Sequence, residues 1–588
     1  MIWITVAFLL LAPPFRHANA ECGSSTHELF GMALSTQNIV AMRKHAVCAT
    51  SISDELPPTM KKQFATSVIT TLLTSSHPTK IPQLSTEDFD MLRTLIQHGI
   101  MFTAESLREA VLMCHIPLVQ FLLREESGIR KSLHNDPFSW QIIHAIFMPR
   151  LGITAIGKML LDQNLRVPSV SSEQQYFFHG NLNLHFLTTA SKTYARLFKK
   201  GTMRQIFVKD LRKGANEIHA VLLDLFLEHP EFVANLCSTV TSTSTTMRTV
   251  LHLAAASSDP LSISKILLVS KKHKECSALS NSIMSKDAFG FTAADLAGRA
   301  GDYRSVELLL RESSLLNLND RITTIFQKFD PRTKQQKQHG SSSRKCDFDK
   351  IDIDQLNSSY FYHNYYMPRK PLLVQRGCRS YKAIKKWTLS YLDRHLNVQK
   401  EVLVSHIPYG NQFGMEEVAL PSMRSLPRIT NTSSKHIPYV FDGSILSQSP
   451  RLLQDFPSLP SFAEPPLAYF QKKDALGLHL NPPQLYVGST GSGSPMHFHS
   501  DAINACFKGE KMYVLLPPVH AVYSIDPVMF WLKNQEKELI QHALFCTQQK
   551  GDILYIPGMY SHGVLNKKKV IGVATEMLGR HGEELLWF

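Results

Sequence analysis

The sequence predicts a multidomain protein in which an α-helical repeat region precedes a domain rich in β-strands. The chain has 588 residues, which exceeds the roughly 250 to 300 residues that one hydrophobic core can hold. Lys and Arg scattered among Gln, Gly and Ser over residues 327–345 predict a basic, flexible linker. Similar helical segments come before this linker, and apolar strands that end at Pro and Gly come after it.

The first residues form an apolar run from Ile2 to Ala12, followed by the small residues Ala18 and Ala20. The run is too short to span a bilayer, and this pattern is typical of a secretory signal peptide, predicted over residues 1–20. No later apolar run of the sequence reaches membrane length, so we expect no transmembrane segment. The expected location is the secretory pathway, either the endoplasmic reticulum lumen or outside the cell.

The chain has nine cysteines, so at least one is expected to be unpaired. In an oxidising lumen Cys22 and Cys48 could pair. Cys506 lies in an apolar strand and is predicted to be a small buried residue. Because the sequence has no Cys-x-x-Cys, we expect no structural zinc site.

Two segments before the linker are similar to each other. Thr249-Val-Leu-His-Leu-Ala-Ala-Ala256 is followed by spaced apolar residues, and so is the segment from Asp287 to Ala297, while a weaker third segment starts at Thr103. They resemble the ankyrin repeat, in which a Thr-x-Leu-His turn opens a helix pair. We therefore predict ankyrin repeats over residues 241–326 and an α-helical region with degenerate ankyrin-like repeats over residues 21–240.

The ankyrin resemblance implies a solenoid whose concave surface binds a protein partner. The alternative is that the repeats only support the domain that follows. The formal charge of +14 includes the linker, which either attracts acidic partners or is simply solvated. Because a secreted protein does not meet the genome, we expect no nucleic-acid partner.

Four residues near the end of the chain predict a metal site. His497, His499 and Asp501 alternate along a predicted strand, and alternate side chains of a strand share a face. His562 follows a Gly-Asp turn, an apolar strand and a Pro-Gly bend. Imidazole and carboxylate ligands on one face of a non-haem iron leave positions open for a co-substrate and O2. The alternative for each His is an ordinary hydrogen-bonded residue.

A longer series of motifs surrounds these four residues. The metal His and carboxylate are followed by Asn504, by a Gly-x-Lys that ends at Lys511, and by Gly-Asp-x-x-x-x-Pro-x-x-x-x-His-x-x-Leu-Asn around His562. In this order the chain resembles the JmjC family of Fe(II)- and 2-oxoglutarate-dependent oxygenases, over residues 346–588 with a metal-site core at about 480–580. The resemblance implies an α+β double-stranded β-helix, which is a cupin-like jelly roll.

The JmjC resemblance also implies a role for individual residues. His497 and His562 would be two imidazole ligands, and Lys511 would pair with the distal carboxylate of 2-oxoglutarate. Asn504 and Thr575 would hydrogen-bond the co-substrate. The resemblance assigns no catalytic side chain beyond the metal site.

The third ligand stays open at this stage, because His499 stands where the family carries a carboxylate. His499 could bind together with Asp501, which restores His-x-Asp. His497 could bind together with Asp501 through a longer loop. The third possibility is a site of His497, His499 and His562, which carries more positive charge.

The sequence therefore predicts a JmjC oxygenase of the secretory pathway with Fe(II) and 2-oxoglutarate as cofactors. Hydroxylation of a protein side chain is the expected outcome, with oxidation of an N-methyl group as the second. The alternative function is a catalytically inactive luminal adaptor or scaffold, in which the barrel keeps its shape and the repeats bind partners.

Overall fold

The structure of the protein is a computed structural model, and it describes the following residues: 65, 68–69, 72, 84–97, 102–112, 115–125, 129, 158, 160, 205–228, 233, 248–273, 276, 282–313, 317–332, 346–396, 402–404, 418–420, 422–423, 439–465 and 478–579. The predicted signal peptide, Cys22, Cys48 and most of the predicted linker lie outside these residues. The chain divides into two compact units, residues 1–178 with 218–235 and residues 179–217 with 236–588.

The first unit contains three described helices: α1 (Thr86–Gln97), α2 (Ala104–Leu112) and α3 (Ile116–Glu125). Helices α2 and α3 occupy the segment where the weak third repeat is predicted. In α3 the buried residues Leu118, Val119 and Leu122 recur at helical spacing, so one face of the helix packs inward. A short strand, β1 (Gln205–Phe207), leads into the long helix α4 (Val208–Leu227).

Two helix pairs and one further helix precede the linker: α5 (Val250–Ala256), α6 (Pro260–Lys272), α7 (Ala293–Ala300), α8 (Tyr303–Glu312) and α9 (Leu318–Phe329). Thr249 and His252 form a capping box that starts α5, and Thr292 and Asp295 form the same box at α7. The Asp295 side chain therefore accepts a hydrogen bond from the N-cap backbone of α7, as His252 does at α5. The helix pairs lie where two repeats are predicted, and their identity as ankyrin repeats stays a prediction.

The C-terminal region is built from two antiparallel sheets, with one parallel pair at an edge of the larger. The larger sheet has the order β2-β3-β14-β10-β16-β8-β6, with β7 paired to β16, and the smaller has the order β13-β11-β15-β9. The strands are β2 (Lys350–Asp352), β3 (Leu372–Gln375), β6 (Tyr439–Asp442), β7 (Leu478–Leu480), β8 (Gln484–Gly488), β9 (Gly493–His497), β10 (Asp501–Lys508), β11 (Glu510–Leu516), β13 (Leu544–Gln549), β14 (Ile553–Ile556), β15 (Ser561–Asn566) and β16 (Val570–Gly579). This architecture fits the predicted jelly roll.

The remaining elements are short. Strands β4 (Val402–Val404) and β5 (Val418–Leu420) pair with each other, and β12 (Val522–Ser524) pairs with β1. The short helices are α10 (Ser358–Phe361), which runs into a π-helical turn (Tyr362–Tyr366), α11 (Ala383–Lys386), α12 (Leu389–His395), α13 (Ser444–Ser447), α14 (Pro450–Leu453), α15 (Val528–Lys533) and α16 (Lys537–Ile540). Short 3-10 turns lie at Ser282–Met284, Ile353–Gln355, Ser461–Ala463 and Pro518–His520.

The hydrophobic core lies between the two sheets. Leu373, Leu554 and Ile556 from the larger sheet pack with Tyr513 and Leu515 from the smaller one. Since side chains of a strand alternate between its faces, this core identifies the inner face of β11 as the face that carries Lys511, Tyr513 and Leu515. The inner face is where a site between the sheets must lie.

A disulfide joins Cys346 to Cys546 on β13, across 200 residues of sequence. The sequence analysis did not propose this pair, because nothing in the spacing of the two residues indicates that they meet. Cys506 is a free and fully buried thiol, as predicted, and Cys378 is a second one. Among the described helices, none has both the length and the hydropathy needed to cross a bilayer.

We expect replacement of both Cys346 and Cys546 by serine to lower the free energy of unfolding by about 4 kcal/mol, because the bond closes a long loop of the unfolded chain. Urea unfolding of the oxidised protein and of the double variant measures the difference. Serine at Cys378 is the matched control for a thiol that forms no disulfide. Equal urea midpoints for the double variant and the oxidised parent would contradict a disulfide between Cys346 and Cys546.

Candidate metal centre

The chain changes sheets between His497 and Asp501. Strand β9 ends at His497 in the smaller sheet, and β10 begins at Asp501 in the larger one. The prediction that His497, His499 and Asp501 lie on one face of a single strand is therefore wrong. Residues 498–500 form the crossing between the sheets, and strand alternation does not apply across it.

The structure brings three imidazoles together. His497 and His562 are directly paired on β9 and β15, and their ring centroids are 4.3 Å apart. The ring of His499 lies 4.8 Å from that of His562 and 5.5 Å from that of His497. One nitrogen from each residue lies within 4.8 Å of the other two. Three convergent imidazoles at this spacing can hold one divalent ion.

Each imidazole is held in one tautomer by the backbone. The Nδ1 atoms of His497, His499 and His562 lie 2.9, 2.7 and 3.0 Å from the carbonyl oxygens of Pro495, Ser500 and Tyr560. Because a carbonyl only accepts, each Nδ1 carries the proton and donates it. Every Nε2 is then left with a free electron pair, which is the arrangement that metal-binding histidines use.

Burial keeps the imidazoles of His497 and His562 neutral. It lowers the pKa of His497 to about 4, and the neighbouring His499 lowers it further. Burial, together with His497 and His499, lowers the pKa of His562 well below its ordinary value. A metal ion therefore does not compete with protons for these two nitrogens at neutral pH.

Asp501 lies apart from the three imidazoles, in a buried ion pair. Its carboxylate accepts hydrogen bonds from Arg369 Nη1, from the Tyr555 hydroxyl at 2.7 Å and from the Gly558 backbone N–H at 3.2 Å. Burial disfavours the guanidinium, but the Asp501 charge raises the pKa of Arg369 above its ordinary value. The two arrangements that used Asp501 as a ligand do not fit this geometry, and the arrangement of His497, His499 and His562 does.

The predicted co-substrate residues Lys511 and Asn504 lie on the inner faces of β11 and β10. The Lys511 side chain is 1% exposed. Its Nζ donates to Asn504 Oδ1 at 3.4 Å and lies 3.5 Å from the centroid of the Tyr486 ring. Among the described residues, no carboxylate lies within ion-pair distance of this ammonium. Burial lowers the pKa of Lys511 to about 7, and nearby Cys506 only partly opposes the change.

The surroundings of Lys511 contain polar atoms that lack a hydrogen-bond partner. Lys511 pairs with Gln548 on one side and with Asn566 on the other, so the three side chains share a face. Gln548 Oε1, Asn566 Oδ1 and the Tyr513 hydroxyl are buried without a partner among the described residues. Such groups are costly in a dry core. The buried ammonium and the Tyr513 hydroxyl suit a carboxylate such as that of 2-oxoglutarate, whereas the two amide oxygens can only accept hydrogen bonds.

Thr575 does not face this space. It pairs directly with Ile503, while Asn504 pairs with Ala574. Directly paired residues share a face and successive residues alternate, so Thr575 projects to the face opposite Asn504. The prediction that Thr575 hydrogen-bonds the co-substrate is therefore wrong. Glu576 projects to the inner face instead, and its carboxylate accepts from Asn481 Nδ2 at 3.1 Å and Ser500 Oγ at 3.3 Å.

Several residues of this site were not proposed from the sequence. Asn566 lies four residues after His562 on the same strand, so strand alternation would have placed both on one face. Tyr513 follows Lys511 in the same way. Gln548 and Arg369 carry no such signal. Gln548 reaches the site through the pairing of β13 with β11, and Arg369 lies in a turn before β3 and meets Asp501 across 132 residues of sequence.

Comparison with known proteins agrees with this architecture. A family profile described as a cupin-like domain matches residues 358–575. The bifunctional arginine demethylase and lysyl-hydroxylase psr-1 of Caenorhabditis elegans is 20% identical over 263 residues, which cover 40% of this chain and 63% of that protein. The arginine-specific demethylase JMJ22 of Arabidopsis thaliana is 24% identical over 236 residues, covering 36% of this chain and 43% of that protein.

A human relative is matched over more of its length. The bifunctional peptidase and (3S)-lysyl hydroxylase JMJD7 is 21% identical over 258 residues, which cover 36% of this chain and 79% of that protein. The chain spans less than two thirds of psr-1 and of JMJ22. The similarity therefore concerns the C-terminal region.

Proposed function

Because the C-terminal region carries a cupin-like JmjC domain, we propose that it is a metal-dependent oxygenase that hydroxylates a protein side chain. The observation that carries the proposal is the cluster of three imidazoles with their Nδ1 protons fixed, in the same barrel as a buried lysine that has no carboxylate partner among the described residues. The relatives named as protein hydroxylases and demethylases support the same class of reaction.

Fe(II) bound by His497, His499 and His562 would supply the chemistry that activates O2. In the overall reaction, one oxygen atom enters the C–H bond of the substrate to give an alcohol. The other enters succinate as 2-oxoglutarate loses CO2, so atoms and electrons balance. Three neutral imidazoles leave the charge of a divalent ion uncompensated. The dianionic co-substrate opposite Lys511 would offset this charge.

The protein contributes orientation and charge. The Lys511 ammonium would pair with the distal carboxylate of the co-substrate, and Asn504 Oδ1 holds that ammonium in place. The Tyr513 hydroxyl would donate a second hydrogen bond to the same carboxylate. The carbonyls of Pro495, Ser500 and Tyr560 fix the imidazole planes.

We expect co-substrate affinity to fall as pH rises above 7. Only the protonated amine of Lys511 attracts a carboxylate, and its pKa before binding is about 7. Each further pH unit then costs up to about tenfold in affinity, until the pH reaches the raised pKa of the complex. Anaerobic equilibrium dialysis of 2-oxoglutarate between pH 6.5 and 9 measures this slope. An affinity that does not change over that range would contradict the role of Lys511.

We place this oxygenase in the secretory pathway. The apolar N-terminal run and the disulfide between Cys346 and Cys546 support an oxidising compartment. The helix pairs before the linker would bind the protein substrate or another protein partner. A cell fraction in which the Cys346 and Cys546 thiols are reduced would argue against this location.

One observation favours the second candidate, a non-catalytic adaptor. The carboxylate nearest in sequence to the histidines, Asp501, is held by Arg369, Tyr555 and Gly558. The centre then lacks the anionic ligand of a His-x-Asp site. In an adaptor the barrel would serve as a folded scaffold and the repeats would carry the binding.

Succinate release discriminates the two functions. We expect the protein reconstituted with Fe(II) to convert 2-oxoglutarate to succinate in air, and the His562→Ala variant to lose this turnover. His395→Ala, which changes a half-buried histidine outside the cluster, is the control. Equal succinate from the parent and the His562→Ala variant would favour the adaptor.

A further inference from the structure

A cavity lies outside the cluster of three histidines, and one of its lining residues, Tyr560, also accepts the hydrogen bond of His562 Nδ1. It has a volume of about 500 Å³ and is bordered on one side by the helices that precede the linker and on the other by the barrel. Cavities of this size hold small-molecule ligands. Most of its lining is apolar, and its charged and imidazole side chains are Arg299, Asp330 and Arg332 before the linker and His520 and His542 in the barrel. We call this cavity the His520–His542 cleft.

Two imidazoles are stacked at the cleft. The rings of His520 and His542 lie 3.9 Å apart with an interplanar angle of 17°. Burial, then His542 and Lys209, lower the pKa of His520 to about 4. Burial and Arg332 lower the pKa of His542. Both rings are therefore neutral at neutral pH, and protonation of either one places positive charge beside further positive charge.

The charged groups around the stacked rings are mostly cationic. Arg299 is 6% exposed, and its Nη1 donates to the Met367 carbonyl at 2.7 Å, so its guanidinium is fixed at the cavity wall. Arg332 donates from Nη2 to the Gln541 carbonyl next to His542. The ammonium of Lys209, which does not line the cavity, also lowers the pKa of His520. Asp330 is the acidic residue of the lining.

We propose that the His520–His542 cleft binds a small oxyanion, either a phosphate or a carboxylate. Guanidinium groups such as those of Arg299 and Arg332, which both line the cavity, recognise the oxygens of both ligand types. A bound oxyanion would also favour a proton on one imidazole, because its charge offsets the repulsion from Arg332 and Lys209. Binding is therefore coupled to proton uptake and strengthens as pH falls.

Isothermal titration of the full-length protein tests the proposal. Sulfate represents phosphate and acetate represents carboxylates, and neither changes its charge appreciably between pH 5.5 and 7.5. We expect association with at least one of them to be about tenfold stronger at pH 5.5 than at pH 7.5. Titration in two buffers of different ionisation enthalpy should show proton uptake. The preference between sulfate and acetate identifies the source of the oxyanion.

Variants separate the cleft from the metal centre. Arg332→Gln and His542→Gln should each weaken binding at pH 5.5 about tenfold, and His542→Gln should also reduce the proton uptake. Arg311→Gln removes one exposed charge outside the cavity lining and should have no effect. Binding should persist in Lys511→Met, which would identify a site distinct from the proposed co-substrate site. Absence of binding up to about 10 mM, or binding unchanged in Arg332→Gln and His542→Gln, would overturn the proposal.

Discussion

Replacing His499 with alanine is expected to lower the affinity of the centre for a divalent metal by about 100-fold or more, because it removes one of the three proposed ligands. Replacing Asp501 with asparagine is expected to change that affinity by less than about threefold, because both carboxylate oxygens are engaged away from the imidazoles. Titration with Co(II), followed by its visible absorption, measures both affinities. His395→Ala provides the control for loss of an unrelated imidazole.

The Asp501→Asn variant has its main effect on stability. It removes the carboxylate charge that the buried guanidinium of Arg369 contacts, which costs about 3 kcal/mol. The double variant Arg369→Met with Asp501→Asn should recover much of this loss, because it removes both charges. Urea unfolding of the parent, the single variant and the double variant measures their free energies of unfolding. Metal titration of the double variant then tests metal binding in a protein that has lost Asp501 but is folded. Loss of metal binding in this folded double variant would identify Asp501 as a ligand.

Replacing Lys511 with methionine is expected to stabilise the free protein by up to about 4 kcal/mol at pH 7, while it abolishes 2-oxoglutarate binding. The pKa of Lys511 is lowered to about 7 by burial. The unfolded chain therefore binds more protons than the folded one between pH 7 and the ordinary lysine pKa. Stability of the parent protein should rise with pH over this window, and the Lys511→Met variant should lack the Lys511 contribution to that rise.

The matched control is Lys508→Met, which changes an exposed lysine at the end of β10, close in sequence to Lys511. Urea unfolding at pH 7 and pH 10 gives the free energies for all three proteins. The removal of Lys511 is expected to stabilise the protein because this residue serves ligand binding rather than folding. A Lys511→Met variant that is less stable than the parent at both pH values would show that the ammonium has a structural role.

The JmjC resemblance pointed to Lys511 and Asn504, whereas strand alternation over His497, His499 and Asp501 was a wrong guide. Lys511 and Asn504 occupy the inner faces of their strands, as their expected role requires. Thr575 on β16 was assigned from the JmjC resemblance, and only the pairing of β16 with β10 decides which of its residues face inward. That pairing turns Ala574 and Glu576 inward instead.

Contacts between distant segments could not be predicted from the sequence. The partner of Asp501 is Arg369, 132 residues away, and the partner of Cys346 is 200 residues away. The crossing at residues 498–500 moves Asp501 into the other sheet, and no local pattern marks the end of β9. The choice between His499 and Asp501 therefore depended on tertiary structure.

The most direct test of the proposed oxygenase is an anaerobic titration of the full-length protein with Fe(II) and 2-oxoglutarate, followed in the visible region. We predict the charge-transfer band of a chelated iron complex, which should be absent in Lys511→Met and in His562→Ala. A folded parent protein that shows no band with metal and co-substrate in excess would contradict the three-imidazole oxygenase centre. That result would support the adaptor and direct attention to the helix pairs before the linker.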